Sequence, residues 1–205
     1  MHRAAQLPVC GGRVPPGRSR ERRRILTVDT ATPPLSLSGP AMLALVGPPG
    51  SGKSTIAATY AAHLGEHTRV LSLDAYRARL SKWGEEADQA VTPRAIGALH
   101  ADLADHLDAG RSVIVDATNA RAKDRKKLLR IAREHAAATA AVLVLPPLPV
   151  CQERNAHRDA TVGACGYARQ VPALVVASMH AAITVNRPLG SEDWDMVTEV
   201  SPGRR

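Results

Sequence analysis

Short apolar runs alternate with helical stretches from residue 42 onward, and a glycine-rich loop sits at the first strand-to-helix junction. These two observations predict a three-layer α/β fold around a parallel sheet. A third supports them: no tight hairpin turn joins neighbouring runs, so the strands are linked by crossovers and run parallel. The expected sheet has about five strands, an ordinary size.

The elements follow in order. Residues 42–46, Met-Leu-Ala-Leu-Val, read as a buried strand, and 53–64 as a helix. A second strand is expected over 69–73. Residues 92–109 form a long helix with Thr92 as N-cap, Pro93 at the first helical position and Gly110 as the stop. A third strand over 112–115 leads to a helix over 121–138, and a fourth over 140–145 ends before Pro146-Pro147-Leu148-Pro149. A helix over 172–184 and a strand over 196–200 close the chain. Residues 42–205 therefore read as one domain.

Residues 1–41 differ. They carry six prolines and the run Arg18-Ser19-Arg20-Glu21-Arg22-Arg23-Arg24, without sustained periodicity. A disordered basic tail is expected there, or an upstream extension with Met42 as the true start. A nucleic-acid-binding arm is the alternative. A targeting peptide fits poorly, because prolines spoil an amphipathic helix and no apolar core segment occurs.

Composition bounds the function. Apolar residues make up 44% of the chain, enough for a core, but that core must be aliphatic because Phe is absent. Only Tyr60, Tyr76, Trp83, Tyr167 and Trp194 could stack on bases, which weakens a single-strand-binding reading. The net charge of +8 lies largely in the tail, where seven arginines face Glu21 and Asp29. Cys10, Cys151 and Cys165 form no CxxC pair, so neither a disulfide framework nor a zinc site is indicated. No apolar run reaches the ~18–20 residues that span a bilayer. A cytoplasmic protein is expected.

The decisive segment is Gly47-Pro48-Pro49-Gly50-Ser51-Gly52-Lys53-Ser54-Thr55. It satisfies G-x-x-x-x-G-K-[ST] after a strand and before a helix, which is the setting the chemistry needs. Its glycines let backbone N–H groups turn towards phosphate oxygens, and the helix adds its positive end. Gly47, Gly50, Ser51 and Gly52 are the expected phosphate cradle. Lys53 supplies charge to the β- and γ-phosphates. Ser54 offers a hydroxyl to Mg²⁺, with Thr55 as a secondary contact. ATP and Mg²⁺ are the expected ligands.

Four further segments bear on the substrate. Leu73-Asp74-Ala75-Tyr76-Arg77 puts an acid at the C-terminal edge of a strand, where parallel sheets bind ligands. Asp74 could accept a proton from a hydroxyl or ligate Mg²⁺, and Arg77 could hold an acceptor phosphate. A helix cap and a solvated side chain are the alternatives. Val115-Asp116 ends an apolar strand in a carboxylate placed to assist Mg²⁺ through water, while Thr118 or Asn119 could cap the next helix. Arg154 and Arg158, four apart, would share a helical face and could cover ATP phosphates as a lid. The basic stretch from Arg121 to Arg133 reads as the outer face of a helix whose Leu128, Leu129, Ile131 and Ala132 touch the sheet; a surface that tracks a phosphate backbone is the alternative.

The order G-P-P-G-S-G-K-S-T, D-x-x-R, V-D-A-T-N with a basic helix, and R-x-x-x-R resembles the 5′-hydroxyl polynucleotide kinases and their single-domain P-loop relatives. Gln170-Val171-Pro172-Ala173-Leu174-Val175-Val176-Ala177-Ser178-Met179 and Glu192-Asp193-Trp194-Asp195-Met196-Val197 extend the likeness over almost all of 42–205. The resemblance implies a three-layer P-loop kinase fold with an arginine-bearing lid. It implies ATP and Mg²⁺ on Lys53 and Ser54, Asp74 as general base for a 5′-hydroxyl, and Arg77 on the adjacent phosphate. Arg154 and Arg158 would be lid arginines. Some relatives place their acid at the position of Ala117 rather than Asp116. No D-x-D-x-T phosphatase signature occurs, so a kinase alone is implied. The acceptor stays open between a 5′-hydroxyl nucleic-acid end and a small hydroxylated molecule such as a nucleoside, sugar or antibiotic. A nucleotide-dependent binding module without turnover is a third reading.

Overall fold

The structure is a computed structural model that describes residues 25–29, 39–82, 90–158, 170–185 and 192–201. In chain order the elements are β1 (Ile25–Asp29), β2 (Ala41–Val46), α1 (Lys53–Leu64), β3 (Thr68–Ser72), α2 (Leu73–Leu80) and α3 (Thr92–Asp108). They continue with β4 (Ser112–Asp116), α4 (Ala122–Glu134), β5 (Ala138–Leu143), α5 (Leu148–Ala156), α6 (Ala173–Val185) and β6 (Met196–Ser201).

The strands form one parallel sheet in the order β1-β6-β5-β2-β4-β3. β2 is central and buried along its whole length, which explains its unbroken apolar run. Its side chains alternate between two cores. Met42 and Ala44 pack with Leu99, Leu103 and Leu107 of α3 and with Leu128 and Ile131 of α4. Ala41, Leu43 and Leu45 pack on the opposite face with Ala57 and Tyr60 of α1. This is the expected three-layer arrangement. α3 earns its place by burying Ala95, Leu99, Leu103 and Leu107, a four-residue repeat on one face. Gly110 then turns the chain at φ 71°.

Several details amend the sequence reading. β1 is a sixth strand, drawn from the segment 1–41 that was expected to be a tail, and it pairs in parallel with β6 from Ile25↔Val197 to Asp29↔Ser201. Ile-Leu-Thr-Val suits a strand, but the surrounding prolines and arginines hide it. The rest of 1–38 lies outside the described residues. α4 stops at Glu134 rather than 138, because Ala136 turns the chain at φ 52° and β5 starts at Ala138. Thr92 is not the N-cap of α3; Val91 occupies that position and no side chain caps the helix. Among the described residues, no helix is long and apolar enough to cross a membrane.

β2 has β4 on one side and β5 on the other, so the chain reverses its direction of winding there. A crevice opens at the C-terminal ends of the strands at such a point, and the loop after β2 lies in it.

Candidate active site

The loop from Gly47 to Gly52 is shaped by what its glycines permit. Gly50 and Gly52 have φ 77° and 96°, in the left-handed region that L side chains avoid. A Cβ on Gly50 would lie 2.1 Å from the Cys151 carbonyl oxygen, and one on Gly47 would lie 2.4 Å from that of Val144. The start of α5 therefore presses directly on the loop. Ser51 N–H donates to the Pro48 carbonyl at 3.2 Å, and Gly47 N–H donates to Thr118 at 3.2 Å. Ser51 is fully buried, and its Oγ has no hydrogen-bond partner among the described residues. A curled backbone with no room for side chains, at the positive end of α1, fits a phosphate group.

Lys53 is the first residue of α1, and its Nζ donates to the Pro48 carbonyl at 2.9 Å. Burial pushes its ammonium pKa below the ordinary 10.5. Asp116 pulls it back up, Arg158 lowers it further, and Asp74 raises it. Cys151 adds a further raising effect, and the other three groups that act on Lys53 are those the sequence singled out.

All of them line one cleft of about 860 Å³, together with Ser54, Arg77 and Thr92. Asp116 ends β4, beside Ser72 of β3 in the sheet register, and is 9% exposed. Asp74 sits in the first turn of α2, with its side chain 47% exposed. Arg77, one helical turn on, is 12% exposed and reaches Asp74 Oδ1 with Nη1 at 2.5 Å. Its Nε donates to Thr92 Oγ1 at 3.1 Å. Thr92 thus orients the guanidinium rather than capping α3.

The lid arginines part company. α5 ends at Ala156, so Arg154 and Arg158 do not share a helical face. Arg158 lines the cleft, whereas Arg154 is not among its lining residues. Thr55 is exposed on α1, also outside that lining, and its carbonyl accepts from Thr59 Oγ1 at 3.0 Å.

Other residues complete the cleft. His100 of α3 and Lys123 and Lys127 of α4 line its far wall. Burial, then Lys127, lower the His100 pKa; Asp124 opposes and Arg130 adds to the lowering. Ile96 and Leu99 of α3 and Val175 and Met179 of α6 add apolar side chains to the lining. The buried faces of α4 agree with expectation, since Leu128, Leu129, Ile131 and Ala132 are buried, but Arg125 is buried with them. Asn119 does not cap α4. Its Nδ2 donates to the Leu45 carbonyl at 2.8 Å, across to β2. Among the described residues, no group of three or more His, Cys, Asp or Glu side chains could hold a metal alone.

A family profile described as “AAA domain” matches residues 42–185. The chain belongs to this AAA domain family. No curated protein matches the sequence of this AAA domain chain. Its fold is similar to that of a chain in the Pnkp1/Rnl/Hen1 RNA repair complex, with TM-score 0.63 and 19% identity. That match covers 78% of this chain and 49% of the other, so the present chain spans about half the length of its neighbour. A proposed kinase from Chloroflexus aurantiacus aligns with TM-score 0.60 and 21% identity, over 80% of this chain and 89% of that one. A gluconokinase from Sinorhizobium meliloti aligns with TM-score 0.54 and 18% identity, over 81% and 85%. The AAA domain chain thus has a P-loop kinase-like fold. Such a fold implies nucleotide binding, usually with Mg²⁺.

Proposed function

We propose that the chain transfers the γ-phosphate of ATP to a hydroxyl acceptor, and that the acceptor is the 5′-hydroxyl end of a polynucleotide. The observation that carries this reading is the single cleft shared by Lys53, Asp74, Arg77, Asp116 and Arg158. Each has a role in phosphoryl transfer, which needs positioning and charge neutralisation more than covalent chemistry. Gly47, Gly50, Ser51, Gly52 and Lys53 hold the nucleotide phosphates. Arg158 neutralises charge on the transferring group. Ser54 and Asp116 would hold Mg²⁺, which supplies further neutralisation when bound with the nucleotide. Asp74 accepts the proton of the attacking hydroxyl. Arg77, already aimed by Thr92 and Asp74, holds an acceptor phosphate.

The far wall bears on the acceptor. Lys123 and Lys127 line the same cleft as Arg77, and so do the apolar side chains of Ile96, Leu99, Val175 and Met179. A nucleotide unit offers a phosphate to the cations and a flat base face to the apolar side chains. A bare polyol offers neither. A small hydroxylated acceptor draws support from another observation: Tyr60, Tyr76 and Trp194 are all buried and unavailable for stacking on a strand. Trp83 and Tyr167 lie outside the described residues.

The test is transfer of labelled γ-phosphate to 5′-hydroxyl DNA and RNA oligonucleotides, beside gluconate and free nucleosides. Label at the oligonucleotide 5′ end is expected. Label on the small acceptors alone would replace the polynucleotide reading with the second one. ATP binding without transfer to any acceptor would favour a binding module.

A further inference from the structure

We infer that Asn119 is a positioning residue for the phosphate loop, and that a buried ion pair between Arg125 and Glu192 holds it there. The inference rests on the nucleotide-binding reading of that loop. It goes beyond that reading by assigning work to Asn119, which lines the cleft, and to the Arg125–Glu192 pair behind it, none of which that reading uses.

Two hydrogen bonds fasten the segment after β4 to the end of β2. Gly47 N–H, at the first glycine of the loop, donates to the Thr118 carbonyl at 3.2 Å. The Asn119 amide donates to the Leu45 carbonyl at 2.8 Å. The group facing Leu45 must be the amide nitrogen, since a carbonyl can only accept. The loop therefore departs from β2 at a point gripped by neighbouring residues of one partner segment. That same segment carries Asp116 two residues earlier, so the bonds also fix the spacing between the carboxylate and the phosphate cradle.

Asn119 sits at φ 46°, in the left-handed region that asparagine and aspartate enter more readily than other non-glycine residues. Arg125 holds the turn. Its Nη1 donates to the carbonyls of Asn119 and Ala120 at 2.8 and 2.9 Å. Arg125 is fully buried, and Glu192 meets it twice, Oε2 to Nε at 2.8 Å and Oε1 to Nη2 at 2.5 Å. Glu192 is itself 4% exposed and accepts from Trp194 Nε1 at 3.0 Å. The relay runs from the segment just before β6, through α4, to the base of the phosphate loop. A fully buried guanidinium needs acceptors for its remaining N–H groups, and those of Nη1 are backbone carbonyls of the segment that grips the phosphate loop.

The experiment separates backbone from side chain. Glycine and aspartate both tolerate φ 46°, so Asn119→Gly and Asn119→Asp keep the turn and remove the donor to Leu45. Mg·ATP is titrated calorimetrically into the full chain and each variant, and each is melted. Both variants should melt within a few degrees of wild type. ATP should bind roughly tenfold more weakly to Asn119→Gly, the scale of one lost positional hydrogen bond. Asn119→Asp should lose more, because its carboxylate would face the Leu45 carbonyl. The double variant Arg125→Met/Glu192→Met removes the pair without leaving a lone buried charge, and should weaken ATP binding in the same direction. Wild-type ATP affinity in both Asn119 variants would overturn the inference. So would losses of folding and binding that run in parallel, which mark a structural role only. Failure of the wild-type chain to bind Mg·ATP would instead overturn the nucleotide reading, and this inference with it.

Discussion

The phosphate loop beside the cleft is shaped by close backbone packing; the α2–α4 side is lined by side chains. The first side is fixed by packing so close that a single added Cβ at Gly50 would strike α5. The second is held by side-chain tethers, with Arg77 strung between Asp74 and Thr92. Phosphates of a nucleotide are the same in every turnover, so a rigid cradle suits them. On the proposed reading, an acceptor would enter with its hydroxyl free and leave phosphorylated, so groups that can exchange partners suit it. Asp74, the proposed base, is engaged by Arg77, and on that reading an acceptor phosphate would compete for the guanidinium.

The contrast breaks most severely at Gly50. Alanine there meets both a left-handed backbone and the Cys151 carbonyl at 2.1 Å. Gly50→Ala should abolish nucleotide binding and cost more than about 2 kcal/mol of stability, read by calorimetry and urea unfolding. Within α4 the same contrast recurs between buried and exposed charge. Arg125→Met alone takes the guanidinium away from the buried Glu192 carboxylate, and should cost about 3–5 kcal/mol in urea unfolding. Arg130→Met, whose partner Glu134 is as exposed as itself, should stay within about 0.5 kcal/mol.

The smallest effect is a pH dependence at Lys53. Burial holds its folded-state pKa below the 10.5 of the unfolded chain. Between those two values the unfolded chain binds more protons, so the stability of the ligand-free protein attributable to Lys53 rises with pH. Nucleotide phosphates favour the charged ammonium, so ATP affinity should fall over the same interval. Unfolding and calorimetric titrations from neutral pH to about pH 10.5 should show the two opposite slopes, and Lys53→Met should remove both.

The phosphate loop was legible in the sequence because its chemistry demands residue types at fixed spacing, with no substitutes. The central strands were legible for a related reason: β2 is buried on both faces and can tolerate only apolar residues. Other features carried no such mark. β1 is five residues set in a proline- and arginine-rich background. The role of Asn119 depends on a backbone carbonyl 74 residues away, and a carbonyl has no sequence signature. Arg125 looks like any cation in a basic helix. Its one signal is its place three and four residues before Leu128 and Leu129, on the face those residues bury. The pairing of Arg154 with Arg158 assumed a helix that ends at Ala156. Strand-edge position picked out Asp74 and Arg77, resemblance to the polynucleotide kinases supplied their expected roles, and the two line one cleft with Lys53.

The central claim is a division of labour, with Lys53 serving the nucleotide and Asp74 the acceptor. The direct measurement is Mg·ATP affinity and labelled γ-phosphate transfer to a 5′-hydroxyl oligonucleotide, for wild type, Lys53→Ala and Asp74→Asn side by side. Lys53→Ala should lose both. Asp74→Asn should bind ATP within about threefold of wild type and lose transfer by roughly 10²-fold or more, the contribution of a general base. Transfer at the wild-type rate by Asp74→Asn, or loss of its ATP binding, would contradict the account.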